Sequence, residues 1–332
     1  MVAQLDKELV KMRPAHVPRR LISYALFEGR PLTTRGRWIN PLVLAQFRLV
    51  GHLPPIRRVS RPIFILGTGR SGTTILGKLF HMHRQCGFLN EPKVMWHAIF
   101  PHEDVIGSYS RGAAFYRLDE RAVTDAIRLR AHRLCGYYLF LTGAGRIVDK
   151  YPELIFRVPF VRAIFSDAKF VFLMRNGLDT LRSIASWSGR HGARTGNEIH
   201  DWWGVNQRKW KLLVEQVAAR DECLSPVMDR VRTFDRQEDM AAVEWILTMR
   251  EGRRWMRDLP HAVHQVRYED LLEEPEKTLT ALLDFCELPA DRIMFDYAGK
   301  ALSRRPDKSM VDLHPSISGC FYHTMREMGY GD

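Results

Sequence analysis

The chain has 332 residues, of which 45% are hydrophobic and 27% are charged, an ordinary composition for a globular protein with a large α/β domain. Its 50 basic and 38 acidic side chains give a formal net charge of +12, which predicts an anionic partner unless the excess only coats the surface. Five widely spaced cysteines without a CxxC pair exclude a zinc knuckle and a dense disulfide framework.

Residues 1–60 are predicted to form a basic N-terminal extension. Apolar stretches at residues 21–27 and 42–50 are flanked by arginines, which favours two helices docked on the main domain. An amphipathic segment lying on a membrane is the alternative. The polar start carries no secretory signal, and no apolar run is long enough to cross a bilayer. We therefore expect a cytoplasmic protein, or one held peripherally at the inner membrane surface.

Residues 61–302 are predicted to form the main domain, followed by a C-terminal segment at residues 303–332. Short apolar runs indicate buried strands, and stretches with helical spacing of apolar residues separate them. Alternating strands and helices predict an α/β fold with a parallel sheet covered on both faces. The strands are predicted at residues 62–66, 146–148, 169–174 and 262–266, and the helices at 73–83, 119–141, 158–165, 178–187, 238–259 and 275–286.

A glycine-rich loop joins the first of these strands to the first helix. Gly67 and Gly72 bracket four residues, which is the spacing of a phosphate-binding loop. Such glycines let backbone N–H groups turn inward, and the helix N-terminus adds a partial positive charge. Nucleoside triphosphate enzymes carry a lysine directly after the second glycine, whereas Thr73 stands there and Arg70 lies inside the loop. The loop therefore favours a donor with one 5′-phosphate over a triphosphate.

The loop and a second motif together resemble the sulfotransferases that use 3′-phosphoadenosine 5′-phosphosulfate (PAPS). A later strand ends at Arg175, and Ser183 follows eight residues on, like the pair that holds the 3′-phosphate in that family. The resemblance covers roughly residues 60–190 and 262–290 and is closest to the tyrosylprotein and bacterial branch. It implies a three-layer P-loop-type fold whose helical insertions form the acceptor side. It assigns the donor to Arg70, Ser71, Gly72, Thr73, Thr74, Arg175, Ser183, Tyr268 and Lys308.

One position departs from the pattern of the tyrosylprotein branch. That branch has a second arginine four residues after the serine, and this chain has Trp187 there. Arg182 and Arg190 are the candidates to supply the missing charge. Lys308 lies in the basic C-terminal segment, where the family uses lysine and serine residues to close over the donor. This difference concerns the details of the 3′-phosphate site and the choice of acceptor more than it concerns the identity of the donor.

Sulfuryl transfer needs a base for the acceptor hydroxyl and cations for the leaving phosphate. The resemblance implies Glu91 as the base, and we expect partial burial to raise its pKa toward neutrality. It implies Lys150 and Arg70 as the cations, with PAPS as donor, adenosine 3′,5′-bisphosphate (PAP) as product and no metal. His81 and His83 are rival bases, but both lie toward the far end of the loop helix and are expected to be structural.

Two other functions stay open: a nucleotide kinase with an altered loop, and a non-catalytic basic protein that binds nucleotides or a membrane surface. The acceptor is not identified; a lipid or glycolipid, a carbohydrate, a small alcohol or phenol and a peptide tyrosine are all candidates. We expect no nucleic-acid partner, and a homodimer is left open. The aromatic candidates for the acceptor cleft, most of them better explained as core, are Trp187, Trp202, Trp203, Trp210 and Phe234.

Overall fold

A computed structural model describes residues 2–31, 33–34, 36–302 and 311–331. Within these residues a five-stranded parallel sheet forms the centre, and a three-stranded antiparallel sheet lies apart from it. The strands are β1 Ile63–Gly67, β2 Cys86–Asn90, β3 Arg146–Lys150, β4 Lys169–Met174, β5 Ala193–Thr195, β6 Glu198–Asp201, β7 Gly204–Val205 and β8 Val263–Arg267. The central order is β2-β3-β1-β4-β8, which confirms the predicted α/β class.

The α-helices alternate with the strands along the main domain, and shorter 3₁₀ segments connect several of them. They are α1 Lys7–Met12, α2 Val17–Leu26, α3 Asn40–Val50, α4 Thr73–Met82, α5 Lys93–Ile99, α6 Asp125–Thr142, α7 Val158–Ile164, α8 Gly177–His191, α9 Arg208–Gln216, α10 Met228–Val231, α11 Gln237–Asp258, α12 Tyr268–Glu273, α13 Pro275–Phe285, α14 Arg292–Ala301 and α15 Pro315–Glu327. Most of the predicted helices begin and end within a few residues of these bounds.

The helix predicted at residues 119–141 begins later than expected. Residues Glu120–Ala122 form a separate 3₁₀ turn, and α6 starts at Asp125. The hydroxyl of Thr124 accepts a hydrogen bond from the backbone N–H of Ile127, so Thr124 caps the helix and sets its start. Apolar spacing alone did not reveal this cap, because the periodic pattern runs through both segments.

The central strands bury both faces of the sheet, as a parallel sheet between helices requires. Successive side chains of β1 point to opposite faces, so Ile63 and Ile65 pack with α4, α13 and α14. Phe64 and Leu66 pack on the other face, with α6 and α11. Two separate cores therefore sandwich the sheet, which gives the three layers that the sequence predicted.

Residues 2–50 lie against the main domain through buried polar contacts. Arg20 donates to the carboxylate of Glu28 at 2.5 Å, and both side chains are almost fully buried. Glu28 also accepts from the backbone N–H of Asn90 at 2.7 Å, directly where β2 ends. At the other end of this region, Arg13 pairs with Asp291 at 2.6 Å. The hydrogen bonds from Asn90 to Glu28 and from Arg20 to the carbonyl of Phe88 therefore tie this ion pair, and with it the N-terminal region, to β2.

Breaking this ion pair is expected to destabilise the protein strongly. Glu28→Gln leaves the buried guanidinium of Arg20 without its counter-charge, so the free energy of unfolding is expected to fall by about 3–5 kcal/mol. Urea unfolding of wild type and variant measures the loss. The matched control is Glu287→Gln, because the Arg61–Glu287 pair is nearly half exposed and its loss is expected to cost at most about 1 kcal/mol. Equal losses in both variants would contradict a buried, uncompensated charge.

Two features of the fold were not predicted. Cys223 and Cys320 form a disulfide that joins the region after α9 to α15, with 6.1 Å between their Cα atoms. The short strands β5, β6 and β7 form a hairpin sheet between α8 and α9. None of the helices in the described parts of the chain combines the length and the hydropathy that crossing a bilayer requires.

Candidate functional site

The glycine-rich loop turns sharply between β1 and α4. Gly67 has φ +143° and Gly72 has φ +101°, a region of backbone conformation that favours glycine. A Cβ atom on Gly67 would lie 2.3 Å from the carbonyl oxygen of Leu173 on the neighbouring strand. The hydroxyl of Ser71 donates to the carbonyl of Thr68 at 2.6 Å and holds the turn closed. The first turn of α4 then directs its unpaired N–H groups toward this turn, where an anion can accept them.

The residues predicted for the second phosphate converge on the same loop. The guanidinium of Arg175 donates to the backbone carbonyl of Arg70 at 3.3 Å, and Arg70 donates to the hydroxyl of Ser183 at 3.2 Å. Arg175 lies 4.7 Å from the ring centre of Tyr268, and that ring packs against Gly72. Among the residues that the structure describes, the Nε of Arg175 has no hydrogen-bond partner although it is buried. The arrangement leaves a buried donor available to an anion.

The departure at Trp187 has a structural account. Trp187 lies edge-to-face against Trp202, with 5.4 Å between the ring centres, on a wall of the cavity described below. Arg182 is engaged by Asp179 at 2.9 Å. Burial lowers the pKa of Arg70; the charge of Glu91 acts against this lowering, and the positive charges of Arg175 and Arg190 add to it. Lys308 lies outside the described residues.

A cavity of about 260 Å³ opens at the carboxyl edge of the central sheet, beside the loop. Its floor includes Arg70, Glu91 and Lys150, three residues predicted from the sequence to act on the reacting group. The ends of parallel strands meet at this edge, which explains why residues from β2, β3 and the loop come together. The site residues that the sequence predicted around the transferred group therefore share one pocket.

Glu91 occupies a distinctive place on the floor of this cavity. It directly follows β2, its backbone N–H donates to the carbonyl of Lys150 at 2.8 Å, and its φ is +51°. Its carboxylate accepts from the ammonium groups of Lys150 at 2.5 Å and of Lys93 at 3.2 Å. About a third of the side chain remains exposed to the cavity. The backbone turn therefore presents the carboxylate to the cavity between two lysines.

The expectation that burial raises the pKa of Glu91 toward neutrality is wrong for this arrangement. Burial alone acts in that direction, because it disfavours the charged carboxylate. The charges of Lys150 and Lys93, together with their hydrogen bonds, outweigh burial and hold the pKa of Glu91 well below its usual range. Glu91 is consequently ionised at neutral pH, ready to accept a hydrogen bond from a hydroxyl group.

Beyond Glu91 the buried charges alternate in sign along one wall. Lys93 contacts Glu153 at 3.3 Å, Glu153 contacts Lys209 at 3.4 Å, and Lys209 contacts Glu244 at 2.6 Å. Glu244 accepts from the indole N–H of Trp202 at 2.9 Å. Burial acts to lower the pKa of both lysines and to raise that of Glu153, but the opposite charges reverse each shift. We call Lys93, Glu153, Lys209 and Glu244 the ion chain; no sequence motif marks it.

The remaining candidates lie away from this cavity. His81 is buried at the far end of α4. The Nε2 atom of His83 lies 2.8 Å from the backbone carbonyl oxygen of Pro289, at hydrogen-bond distance. Neither lines the cavity. Trp203, Trp210 and Phe234 are buried in the core, as predicted for most of the aromatic candidates.

The N-terminal region supplies a wall of the cavity that sequence reasoning missed. Tyr24, residues 28–31, Thr33 and Thr34 line it, as do residues of the small sheet. The guanidinium of Arg30 stacks 3.5 Å from the ring centre of Tyr24. The backbone N–H of Arg30 donates to the side chain of Asn40 at 2.7 Å, which holds the segment against α3. No local motif marks these residues, because only the docking of the N-terminal region brings them to the site.

A model of the sulfotransferase family matches residues 62–232 and 220–292. An uncharacterized protein of Aquifex aeolicus (strain VF5) is 26% identical over 262 residues, which are 76% of this chain and 28% of that protein. A protein-tyrosine sulfotransferase of Drosophila melanogaster is 25% identical over 217 residues, which are 64% of this chain and 41% of that protein. The chain thus matches less than half the length of either relative.

Two solved structures are similar to this chain at low sequence identity. The sulfotransferase domain of the Synechococcus PCC 7002 olefin synthase is 18% identical, with a TM-score of 0.48; the match covers 84% of this chain and 98% of that domain. A sulfotransferase of Mycobacterium avium is 11% identical, with a TM-score of 0.48 and coverage of 87% and 80%.

Proposed function

This chain belongs to the sulfotransferase family, and on that premise we propose that it moves a sulfuryl group from PAPS to a hydroxyl group of an acceptor. One observation carries the proposal. The glycine-rich loop, the Arg175–Ser183 pair and the Glu91–Lys150 pair meet at one edge of the sheet. The first two are suited to two phosphates and the third to proton transfer beside a cation. A single-phosphate ligand would leave either the loop or Arg175 without a role.

The chain's residues fit a donor with two separate phosphate groups. Ser71, Thr73 and Thr74 would hold the 5′-phosphate with backbone N–H groups and hydroxyls at the start of α4. Arg175 and Ser183 would hold the 3′-phosphate, and the buried Nε of Arg175 would gain the partner that it lacks among the described residues. The Tyr268 ring, packed on Gly72, offers a surface beside the base. When bound, the donor supplies a sulfuryl group on a phosphate that leaves readily.

Glu91 is proposed to take the proton of the acceptor hydroxyl. Its low pKa makes it a weak base at equilibrium, so it would first accept a hydrogen bond and take the proton as the hydroxyl becomes more acidic. Lys150 has one ammonium group to share between Glu91 and a leaving phosphate. Any hydrogen bond that Lys150 gives elsewhere weakens its hold on Glu91, whose pKa then rises. Arg70 adds a second cation to the same floor.

Binding of PAP tests the donor assignment directly. Isothermal titration calorimetry is expected to show binding of PAP in the presence of EDTA, because Arg70, Arg175 and Lys150 supply the positive charge themselves. Arg175→Ala is expected to weaken this binding by at least about tenfold, since hydrogen bonds to charged groups contribute about 1.5–3 kcal/mol. Arg253→Ala, which removes an exposed guanidinium elsewhere, serves as the control.

The alternatives give different results in the same instrument. No heat with PAP would contradict the proposal. Binding of ATP that requires Mg²⁺ and exceeds the binding of PAP would favour the nucleotide kinase. Binding of both nucleotides that is equally insensitive to Arg175→Ala would favour a basic protein that attracts nucleotides by charge alone.

The acceptor is proposed to enter the cavity between the N-terminal region and the small sheet. Tyr24 lines one side, and Trp187 and Trp202 line the other. Aromatic walls accept apolar chains, rings and sugar faces alike, so a lipid, a carbohydrate, a small alcohol or phenol and a peptide tyrosine all stay open. Incubating the protein with radiolabelled PAPS and separated lipid, glycan and peptide fractions would identify the class that carries the label.

A further inference from the structure

Large apolar side chains stand in solvent along one side of α3. Trp38, in the 3₁₀ turn before the helix, is 76% exposed, while Leu42 is 62% and Leu49 is 72% exposed. Spacings of four and seven residues place them on one stripe of the helix. The opposite side of the helix packs into the core through Val43 and Phe47. The packing of α3 on the core therefore does not use the exposed side chains.

The exposed stripe continues onto the chain that follows α3 and onto α6. Leu53 and Ile56 are nearly half exposed after the helix ends. The guanidinium of Arg57 donates to the carbonyl of Leu139 on α6 at 3.0 Å, which brings the two segments together. Of the twelve large apolar residues that stand exposed in the described chain, seven belong to these segments, so they form a cluster rather than a scatter. We call Trp38, Leu42, Leu49, Leu53, Ile56, Leu129 and Phe140 the apolar face.

In the first half of the apolar face, residues 37–58, every acidic or basic charge is positive. Arg37 and Arg48 flank the stripe on α3, and Arg57 and Arg58 follow it; all four are exposed. The sequence contains no aspartate or glutamate between Glu28 and Glu91, a stretch of 62 residues. The half of the apolar face that residues 37–58 form therefore pairs exposed Trp and Leu side chains with arginines and contributes no acid, which makes it complementary to an apolar layer under a negatively charged layer. On α6, Asp125 lies beside Leu129, and Arg128 pairs with it at 2.6 Å.

We propose that the apolar face docks on the surface of a bilayer that contains anionic lipids. The leucines and Trp38 would enter the boundary between headgroups and acyl chains, where an indole ring is favoured. The four arginines would meet the lipid phosphates, each contributing to affinity at the membrane surface. The charge pattern favours a bilayer over a second copy of this chain, because two copies of such a face would bring their arginines together. This inference does not depend on the sulfuryl transfer proposed above.

Cosedimentation of the full chain with vesicles tests the proposal. Vesicles of phosphatidylcholine with about 30% phosphatidylglycerol, at about 0.1 M salt, are expected to pull the protein down, and pure phosphatidylcholine vesicles far less. Leu42→Ser/Leu49→Ser and Arg37→Gln/Arg48→Gln are each expected to weaken binding to the anionic vesicles about tenfold or more. The control is Ile199→Ser/Tyr322→Ser, which removes apolar side chains that are 44% and 41% exposed outside the apolar face. Wild-type affinity is expected there.

Three outcomes would overturn the proposal. Wild-type protein that stays in the supernatant with anionic vesicles is the first, and an equal loss of binding in the control variant is the second. The third is a wild-type dimer in sedimentation velocity that Leu42→Ser/Leu49→Ser converts to a monomer, with no vesicle binding, because the face would then be a subunit interface. All substituted side chains are exposed. A thermal unfolding midpoint equal to that of wild type verifies that each variant is folded.

Discussion

Glu91→Gln is expected to lower turnover by about 10²–10⁴-fold while leaving the affinity for PAP within about twofold of wild type. The change removes the one carboxylate that the turn after β2 presents to the cavity between Lys150 and Lys93. Glutamine keeps the size and the hydrogen-bonding carbonyl but cannot take a proton at neutral pH. Transfer of label from PAPS to the identified acceptor measures turnover, and calorimetry measures the affinity for PAP.

A matched control separates the loss of a base from the loss of charge. Glu198, on the small sheet, is about as exposed as Glu91, and its carboxylate pairs with Arg111. Glu198→Gln is therefore expected to keep wild-type turnover. Glu91→Gln with wild-type turnover would remove Glu91 from the role of base. A parallel loss of PAP binding and turnover would instead make Glu91 a part of the donor site.

Lys150→Met is expected to reduce turnover by about 10²–10³-fold and to change its pH dependence. The substitution removes a cation from the cavity floor and frees Glu91 from its shortest ionic contact. In wild type, the pKa of Glu91 is held well below its usual range, so activity should not fall as pH drops from 7 toward 5. Without Lys150 the same pKa rises, because burial then meets less opposing charge. As the pH falls, the residual activity of the variant should therefore begin to decline at a higher pH than the activity of wild type does.

Rate profiles between about pH 4.5 and 8 measure this shift. Lys150→Arg keeps a positive charge and is expected to keep the low pKa of Glu91 while losing part of the rate, since the guanidinium is larger and planar. Identical profiles for wild type and Lys150→Met, with only the rate reduced, would show that Lys150 does not set the pKa of Glu91. An unchanged rate would exclude Lys150 from the site.

The sequence was informative wherever function depends on a short segment of backbone. The strand, the glycines and the helix around Gly67 and Gly72 are contiguous, so their spacing alone predicted the loop. The resemblance to the sulfotransferases pointed to Arg175 and Ser183, which are eight residues apart where a strand ends and a helix begins, and both contact Arg70. The central sheet was predictable for the same reason, because its strands read as short apolar runs between segments with helical spacing.

The ion chain and the N-terminal wall could not be predicted in this way. Lys93, Glu153, Lys209 and Glu244 come from four separate parts of the chain, and each alone reads as an ordinary surface charge. Only the tertiary fold buries them together, and the opposite charges decide the direction of the pKa shifts of Lys93, Glu153 and Lys209. The pKa of Glu91 was predicted in the wrong direction for this reason: its burial was foreseen and its second lysine partner was not.

The contact between the region around α1 and the region around α14 has a consequence for how the protein folds during synthesis. Arg13 pairs with Asp291, and Asp6 accepts a hydrogen bond from Tyr297 at 2.7 Å. A ribosome adds about 5–20 residues per second, so α1 waits roughly 15–60 s before the residues that hold it have been made. During that time α1 lacks these partners, and the surface of α14 that later receives it has not formed. A chaperone that holds the N-terminal region would act in this interval.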